Sequence, residues 1–150
     1  MSAKGRLLGV DFGTVRVGLA VCDSERLIAS PLAIYQRRDT AADAAYFREL
    51  VKAEEITGLA VGLPVHMSGD EGGKAKEARA FGDWLAQGTG LPVAYWDERY
   101  TTADAESHLL EAGLTKKKRK ERLDKVAAQI ILQSYLDAER NRLQTRPPDD

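Results

Sequence analysis

Three acidic residues, far apart in the sequence, stand where carboxylates could act together. Asp11 directly follows the apolar run of residues 7–10, Glu98 follows a second apolar run, and Asp124 lies in a helical pattern near the carboxyl end. Buried charges are usually paired or metal-bound, so an acid at the end of a buried strand needs a cation. An ion pair between Asp11 and Arg16 would meet that need as well as a metal would.

Asp124 has the most informative surroundings. At helical spacing it shares a face with Ala127, Ala128 and Ile131, and small alanines would let that face approach a sheet closely. An acid in the first turn of a helix is also favoured by the helix dipole, which would explain Asp124 without any metal.

The types of residue available predict a hard metal site. The chain has one cysteine, Cys22, and two histidines, His66 and His108, so a zinc site built on cysteine is excluded in practice. Carboxylate oxygens suit Mg²⁺ or Mn²⁺, and two such ions about 4 Å apart can cleave a phosphodiester. Three neighbouring acids repel one another, so we expect the metal-free site to raise the pKa of at least one carboxyl group.

A basic run lies immediately before Asp124. Residues 116–122, KKKRKER, carry six positive charges and one negative charge within a chain of net charge −1. Such a run could hold phosphates near the acids, with steep salt dependence and little sequence preference. A solvated loop is the alternative. The predicted nucleic-acid contacts are Arg16, Lys116, Lys117, Lys118, Arg119 and Lys120.

The composition predicts an ordinary globular protein. With 150 residues, 43% hydrophobic and 30% charged, the chain is long enough to bury a core, and one domain over residues 1–143 with a disordered tail at 144–150 is expected. A single cysteine allows no internal disulfide. The sequence shows neither a signal peptide nor a membrane span, so a cytoplasmic location is expected.

The hydrophobic pattern predicts an α/β fold. Three strands come first, with the third at a sheet edge because it contains Pro31. A helix over about residues 40–55, capped through Thr40 and Asp43, a strand at 58–64, a helix over 74–87 and a strand at 92–96 follow. A further helix from residue 101 or 102 to 113, an exposed basic connection at 114–121 and a helix over about 121–142 complete the order. This order predicts a five-stranded mixed sheet, its first three strands antiparallel, with helices on both faces.

Four segments together resemble the YqgF or RuvX-like family of bacterial ribonuclease H-like proteins. The matching segments are LGVDFGTVRVGLAVCD, VGLPVHMSGDEG, DERYTTADAE and LDKVAAQIILQSYLD, and the resemblance runs from about residue 7 to 137. It implies a ribonuclease H-like fold and active-site acids at Asp11, Glu98 and Asp124, the residues selected above. It also implies nucleic-acid substrates, for which two activities are open: maturation of the 5′ end of the small-subunit ribosomal RNA precursor, with association with the ribosome, or resolution of Holliday junctions.

The chain departs from the RuvC-type resolvases at one position. Leu63 and Pro64 stand where the fourth strand of those enzymes would offer an acid, so Glu98 has to serve from the fifth strand. Because a four-way junction is two-fold symmetric, a resolvase would act as a homodimer, whereas RNA trimming needs only a monomer. RNA processing is therefore the preferred hypothesis.

Two functions of other classes remain open. DFGT after a strand also resembles the phosphate-binding hairpin of actin-like ATPases, although 150 residues supply only one of their two lobes. An RNA-binding ribosome-assembly factor without catalysis would keep the fold and the basic run. A dinucleotide-binding domain is disfavoured because no G-x-G-x-x-G follows the first strand.

Overall fold

A five-stranded sheet organises the protein in the computed structural model, which describes residues 4–64, 72–100 and 116–144, and describes the backbone alone at 100, 116–125 and 143–144. The strands are β1 (Arg6–Asp11), β2 (Arg16–Cys22), β3 (Ala29–Gln36), β4 (Ile56–Leu63) and β5 (Val93–Asp97). The helices are α1 (Thr40–Ala53), α2 (Gly73–Thr89) and α3 (Lys116–Gln144), and a short 3₁₀ turn (Glu98–Tyr100) follows β5.

The sheet order is β3-β2-β1-β4-β5. β1 pairs antiparallel with β2, β2 antiparallel with β3, and β1, β4 and β5 run parallel. The predicted mixed sheet is therefore confirmed, with β3 at an edge and a register shift opposite Pro31, which has no backbone N–H to donate. Because β1, β4 and β5 are parallel, their carboxyl ends meet at one edge, which we call the carboxyl edge.

Helices cover both faces of the sheet, as predicted. α1 and α2 pack on one face through an apolar cluster, whose large side chains are Leu8, Val10, Val17, Leu19, Phe47, Leu59, Val61, Phe81 and Leu85. α3 packs on the other face through smaller residues, including Ala20, Ala60 and Ala128 with Leu132 and Leu136. None of the helices in the described part of the chain is long and apolar enough to cross a membrane.

The start of α1 differs from the predicted capping box. Asp39 caps the helix, because its side chain accepts a hydrogen bond from the backbone N–H of Ala42 at 2.8 Å. Asp43 is fully buried and instead accepts hydrogen bonds from the Tyr35 hydroxyl at 2.6 Å and the Arg38 backbone N–H at 2.9 Å. The sequence pattern located the helix but misassigned its cap by one residue.

The predicted basic connection at 114–121 is wrong for residues 116–121. α3 begins at Lys116, so Lys117, Lys118, Arg119 and Lys120 form its first turns and do not form a loop. Lysine and arginine are good helix formers, and neither glycine nor proline interrupts residues 116–144. Helix propensity and the packing of the rest of α3 outweigh the unfavourable interaction of cations with a helix N-terminus.

Three expectations lie outside the described residues. They are the helix from residue 101 or 102 to 113, most of the loop at 69–73, and most of the tail that is expected to be disordered. Of that tail only position 144 is described, and it lies in the last turn of α3.

Candidate active site

Asp11 and Glu98 lie at the carboxyl edge, on the face of the sheet that α3 covers. Asp11 is the last residue of β1, and Glu98 directly follows β5. The side chains of a strand alternate between faces, so Asp11 shares its face with Gly9, over which Ala128 and Leu132 of α3 pack. The parallel pairing of Val10 with Val61 places Gly62 beside Asp11 at this edge.

Gly62 leaves room for Glu98. A Cβ atom built on Gly62 would lie 3.1 Å from Oε2 of Glu98 and 2.7 Å from Cδ1 of Ile131 in α3. Glycine inside an apolar strand often marks a close approach, and this signal was available in the sequence although the prediction did not use it. The carboxylate of Glu98 therefore lies over β4, directed toward β1 and α3.

Electrostatics couple the two acids. Burial, followed by the charges of Asp11 and Asp97, raises the pKa of Glu98 to about 7. No residue in the described part of the chain forms a hydrogen bond or ion pair with the Glu98 side chain. The pKa of one carboxyl group is thus raised as expected, but burial is the largest cause, ahead of the repulsion between acids on which the expectation rested.

Asp97 has a different partner from its neighbour. Nη2 and Nε of Arg99 donate to Oδ2 of Asp97 at 2.6 and 2.9 Å, and these hydrogen bonds lower the pKa of Asp97. Asp97 is therefore neutralised locally. Of the two adjacent acids, Glu98 is the one available to a cation at the carboxyl edge.

The backbone of α3 brings position 124 toward this edge. Leu136 packs with Leu7 and Cys22 at the far end of the strands, whereas Ala128 lies over Gly9, two residues before Asp11. Position 124 is one helical turn before Ala128, farther toward the carboxyl edge. The side chain of Asp124 lies outside the described part of the chain. Among the described side chains, no three His, Cys, Asp or Glu residues form a metal-binding group.

A polar cleft of about 280 Å³ opens beside Asp11. The β1–β2 turn forms it, and Gly13 is required there because a Cβ atom would lie 2.2 Å from the carbonyl oxygen of Arg16. Arg16 lines the cleft together with Asp11, so the structure brings these two predicted residues together. The other lining residues are Phe12, Gly13, Thr14, Val15, Gly18 and Ile34. The predicted contacts at 116–120 are placed only through the backbone of α3, which begins on this side of the sheet.

Sequence models and relatives agree on the family. The RuvX family model, described as "Holliday junction resolvase", matches residues 5–138. A Rhodopirellula baltica protein named "Putative pre-16S rRNA nuclease" is 47% identical over 140 residues, covering 93% of this chain and 81% of the relative. A Myxococcus xanthus protein of the same name is 42% identical over 144 residues, covering 96% and 91%.

Two solved structures share the fold. RuvC of Thermus thermophilus in complex with Holliday junction substrate superimposes with a TM-score of 0.54 at 19% identity, covering 95% of this chain and 98% of RuvC. A second Thermus thermophilus RuvC structure gives a TM-score of 0.51 at 17% identity, covering 94% and 98%. The predicted ribonuclease H-like fold is confirmed by this likeness.

Proposed function

This chain belongs to the RuvX family, and from that premise we propose that it is a nuclease that depends on Mg²⁺ or Mn²⁺, with its active site at the carboxyl edge. Asp11, Glu98 and Asp124 are the proposed catalytic residues and metal ligands. The observation that carries the proposal is that Asp11 and Glu98 lie on one face of the sheet beside Gly62, where burial and the charge of Asp11 raise the cost of ionising Glu98.

The donor chemistry of this pair fits a divalent cation. Both groups are carboxylates, and Asp97 is already paired with Arg99. Burial and the neighbouring charges make an unpaired carboxylate at Glu98 costly, and a bound cation would offset that cost. Asp124 would complete the set from α3. When bound, one or two such ions supply the positive charge that stabilises a phosphodiester undergoing hydrolysis.

The chain itself positions the substrate. Arg16 lines the Asp11 cleft, and the basic first turns of α3 start on the same side of the sheet. Positive groups attract the phosphates of a strand without reading its bases. The nucleic-acid strand is therefore held with one of its phosphates near the acids. The reaction requires no side-chain nucleophile.

We propose a ribosomal RNA precursor, cut at the 5′ end of the small-subunit RNA, as the substrate. This is supported by relatives at 42 and 47% identity, named for pre-16S rRNA, that this chain covers over 91 and 81% of their length. A monomer with one active site suffices for this reaction, and the enzyme would meet its substrate on assembling ribosomes. Holliday junction resolution is the second candidate, because the family model carries that description; it would require a homodimer.

A cleavage panel tests the proposal. Pre-16S RNA, single-stranded RNA and four-way junction DNA are incubated with Mg²⁺, with Mn²⁺ and with EDTA. We expect metal-dependent cleavage, strongest on the RNA precursor, and a loss of at least about a hundredfold in Asp11→Asn, Glu98→Gln and Asp124→Asn. Asp97→Asn is the matched control and should retain most of the activity.

The other outcomes of the panel have definite meanings. Cleavage of junction DNA alone would favour the resolvase. RNA binding without cleavage would contradict the proposed nuclease activity and favour an RNA-binding assembly factor. ATP binding without cleavage would favour an ATPase-related module. Equal losses in Asp97→Asn and Glu98→Gln would contradict the assignment of Glu98.

A further inference from the structure

A second cleft adjoins the proposed active site on the opposite side of the β1–β2 turn. It has a volume of about 450 Å³ and shares Phe12 and Thr14 with the Asp11 cleft. Its other described lining residues are Arg37, Thr40, Asp43, Glu77, Ala80, Phe81 and Trp84. We call it the Trp84 cleft. Because Phe12 and Thr14 line both clefts, these two residues join the Asp11 cleft to the Trp84 cleft.

The walls of the Trp84 cleft are aromatic. The rings of Phe12 and Phe81 lie with centroids 4.9 Å apart, and those of Phe81 and Trp84 with centroids 5.5 Å apart. Phe81 is buried in the core and holds the other two rings, which are only half-buried. Partly exposed aromatic faces beside a nucleic-acid path are the groups on which unpaired bases stack.

Arg37 provides a fixed polar group at one end of this cleft. Its guanidinium lies over the rings of Phe12 and Phe81, 5.5 and 5.1 Å from their centroids. Its Nε contacts Oδ2 of Asp43 at 3.4 Å. Within the described part of the chain, the two terminal nitrogens of Arg37 make no hydrogen bond. Four N–H donors are thus held in a fixed plane at the cleft.

The charges of the Trp84 cleft favour a base over a phosphate. Asp43 offsets the charge of Arg37, and Glu77 adds an exposed carboxylate at the rim. A phosphate would be repelled by this balance. A nucleobase presents both acceptors and donors on its edges, which match the Arg37 donors, the Glu77 acceptor and the hydroxyls of Thr14 and Thr40.

We propose that the Trp84 cleft binds an unpaired nucleobase of the strand that is cut, next to the phosphate held at Asp11. The inference rests on the proposed function for the identity of the strand. It adds a requirement to that function: the substrate has to present an unpaired nucleotide beside the cleavage site, because a base within a duplex cannot enter the cleft.

Binding in EDTA tests the inference without any cleavage. The probes are a labelled single-stranded RNA decamer and an abasic decamer with the same phosphates. Trp84→Leu should weaken binding of the RNA decamer about fivefold or more and leave the abasic decamer unchanged. Trp96→Leu, a matched loss of an indole on the other face of the sheet, should leave the binding of both decamers unchanged. Thermal melts verify that both variants fold.

Fluorescence locates the contact directly. In a Trp96→Phe background Trp84 is the one remaining tryptophan of the chain, and the RNA decamer should quench it while the abasic decamer does not. Equal binding of the two decamers by the wild type, equal losses for both in Trp84→Leu, or unquenched Trp84 fluorescence at saturation would overturn the inference. None of these outcomes depends on catalysis, so a negative result would not contradict the proposed nuclease activity. If the protein proves to have no nuclease activity, binding and fluorescence can still be measured.

Discussion

Oε2 of Glu98 lies 3.1 Å from the point where a Cβ atom on Gly62 would stand. The same point lies 2.7 Å from Cδ1 of Ile131. The glycine of a central strand thus lets a helix and a carboxylate approach the sheet at one place. Asp11 ends the neighbouring strand β1. The space above Gly62 therefore lets Glu98 lie on the same face of the sheet as Asp11.

Gly62→Ala should therefore disturb the site more than the fold. The added methyl has to displace Ile131 and the Glu98 carboxylate, at a cost of about 1–3 kcal/mol in the free energy of unfolding. We expect cleavage to fall about tenfold or more, since catalysis tolerates little misplacement of its groups. Gly88→Ala is the control, because its added methyl would have no neighbouring atom within 4 Å. A Gly62→Ala enzyme with full activity would contradict the placement of Glu98.

The metal-free protein should respond to pH through Glu98. Its pKa is raised to about 7 in the folded state, so folding favours the protonated form and stability falls as the pH rises from about 4.5 through 7. Glu98→Gln removes this penalty. In EDTA the variant should match the wild type near pH 4.5 and be more stable by about 1–3 kcal/mol at pH 8, which chemical denaturation at each pH measures.

Asp97→Asn should show the opposite sign. The pKa of Asp97 is lowered by Arg99, so its contribution to stability is present above the unfolded pKa and lost as the pH falls. This variant should be less stable than the wild type at neutral pH and approach it in acid. Parallel pH profiles for the two variants would refute the separate roles of these neighbours.

Metal binding should stabilise the native chain. An ion that binds only the folded state adds about 2.7 kcal/mol at a hundred times its Kd. We expect Mn²⁺ to raise the Tm of the wild type by several degrees and to leave Asp11→Asn nearly unchanged. Asp137→Asn, at the far end of α3, is the control and should shift like the wild type. An equal shift in Asp11→Asn would place the ion elsewhere.

Buried Asp43 should support the fold. It accepts hydrogen bonds from Tyr35 and the Arg38 backbone and contacts Arg37, so Asp43→Ala should cost about 3 kcal/mol or more. Burial opposes ionisation, but the hydrogen bonds and Arg37 prevail and its pKa is lowered. The wild type should therefore lose its advantage over the variant as the pH falls below about 4. Asp39→Asn, which keeps the cap of α1, should change stability little.

The basic start of α3 should set the salt dependence of binding. Replacing Lys117, Lys118 and Lys120 by glutamine should lower the slope of log K against log salt by about 0.7 for each phosphate of single-stranded RNA that is no longer neutralised. Arg142→Gln, at the other end of the same helix, should leave the slope unchanged. Binding titrations at several salt concentrations measure the slope. An unaltered slope in the triple variant would show that these lysines do not contact the RNA.

Local patterns in the sequence were enough to predict the strands, the mixed sheet, and which acids were candidates. Alternation in residues 15–21 and the apolar runs before Asp11 and Glu98 indicate which segments form strands and where those strands end. Motif segments then specified the family. Strand alternation implies that only one of the neighbours Asp97 and Glu98 faces the cleft, but it does not say which one.

Relations between distant residues came from the packed fold alone. Which side chain lies against Gly62, and the stacking of Arg37 on Phe12 and Phe81, are contacts that no pattern of residue types predicts. The helical start of α3 was missed because a run of charged residues is typical of both a solvated loop and an exposed helix, and the packing of the following turns selects the helix. Proximity, burial and the pKa of Glu98 are properties of the packed chain, so they follow from the fold and cannot be read from spacing.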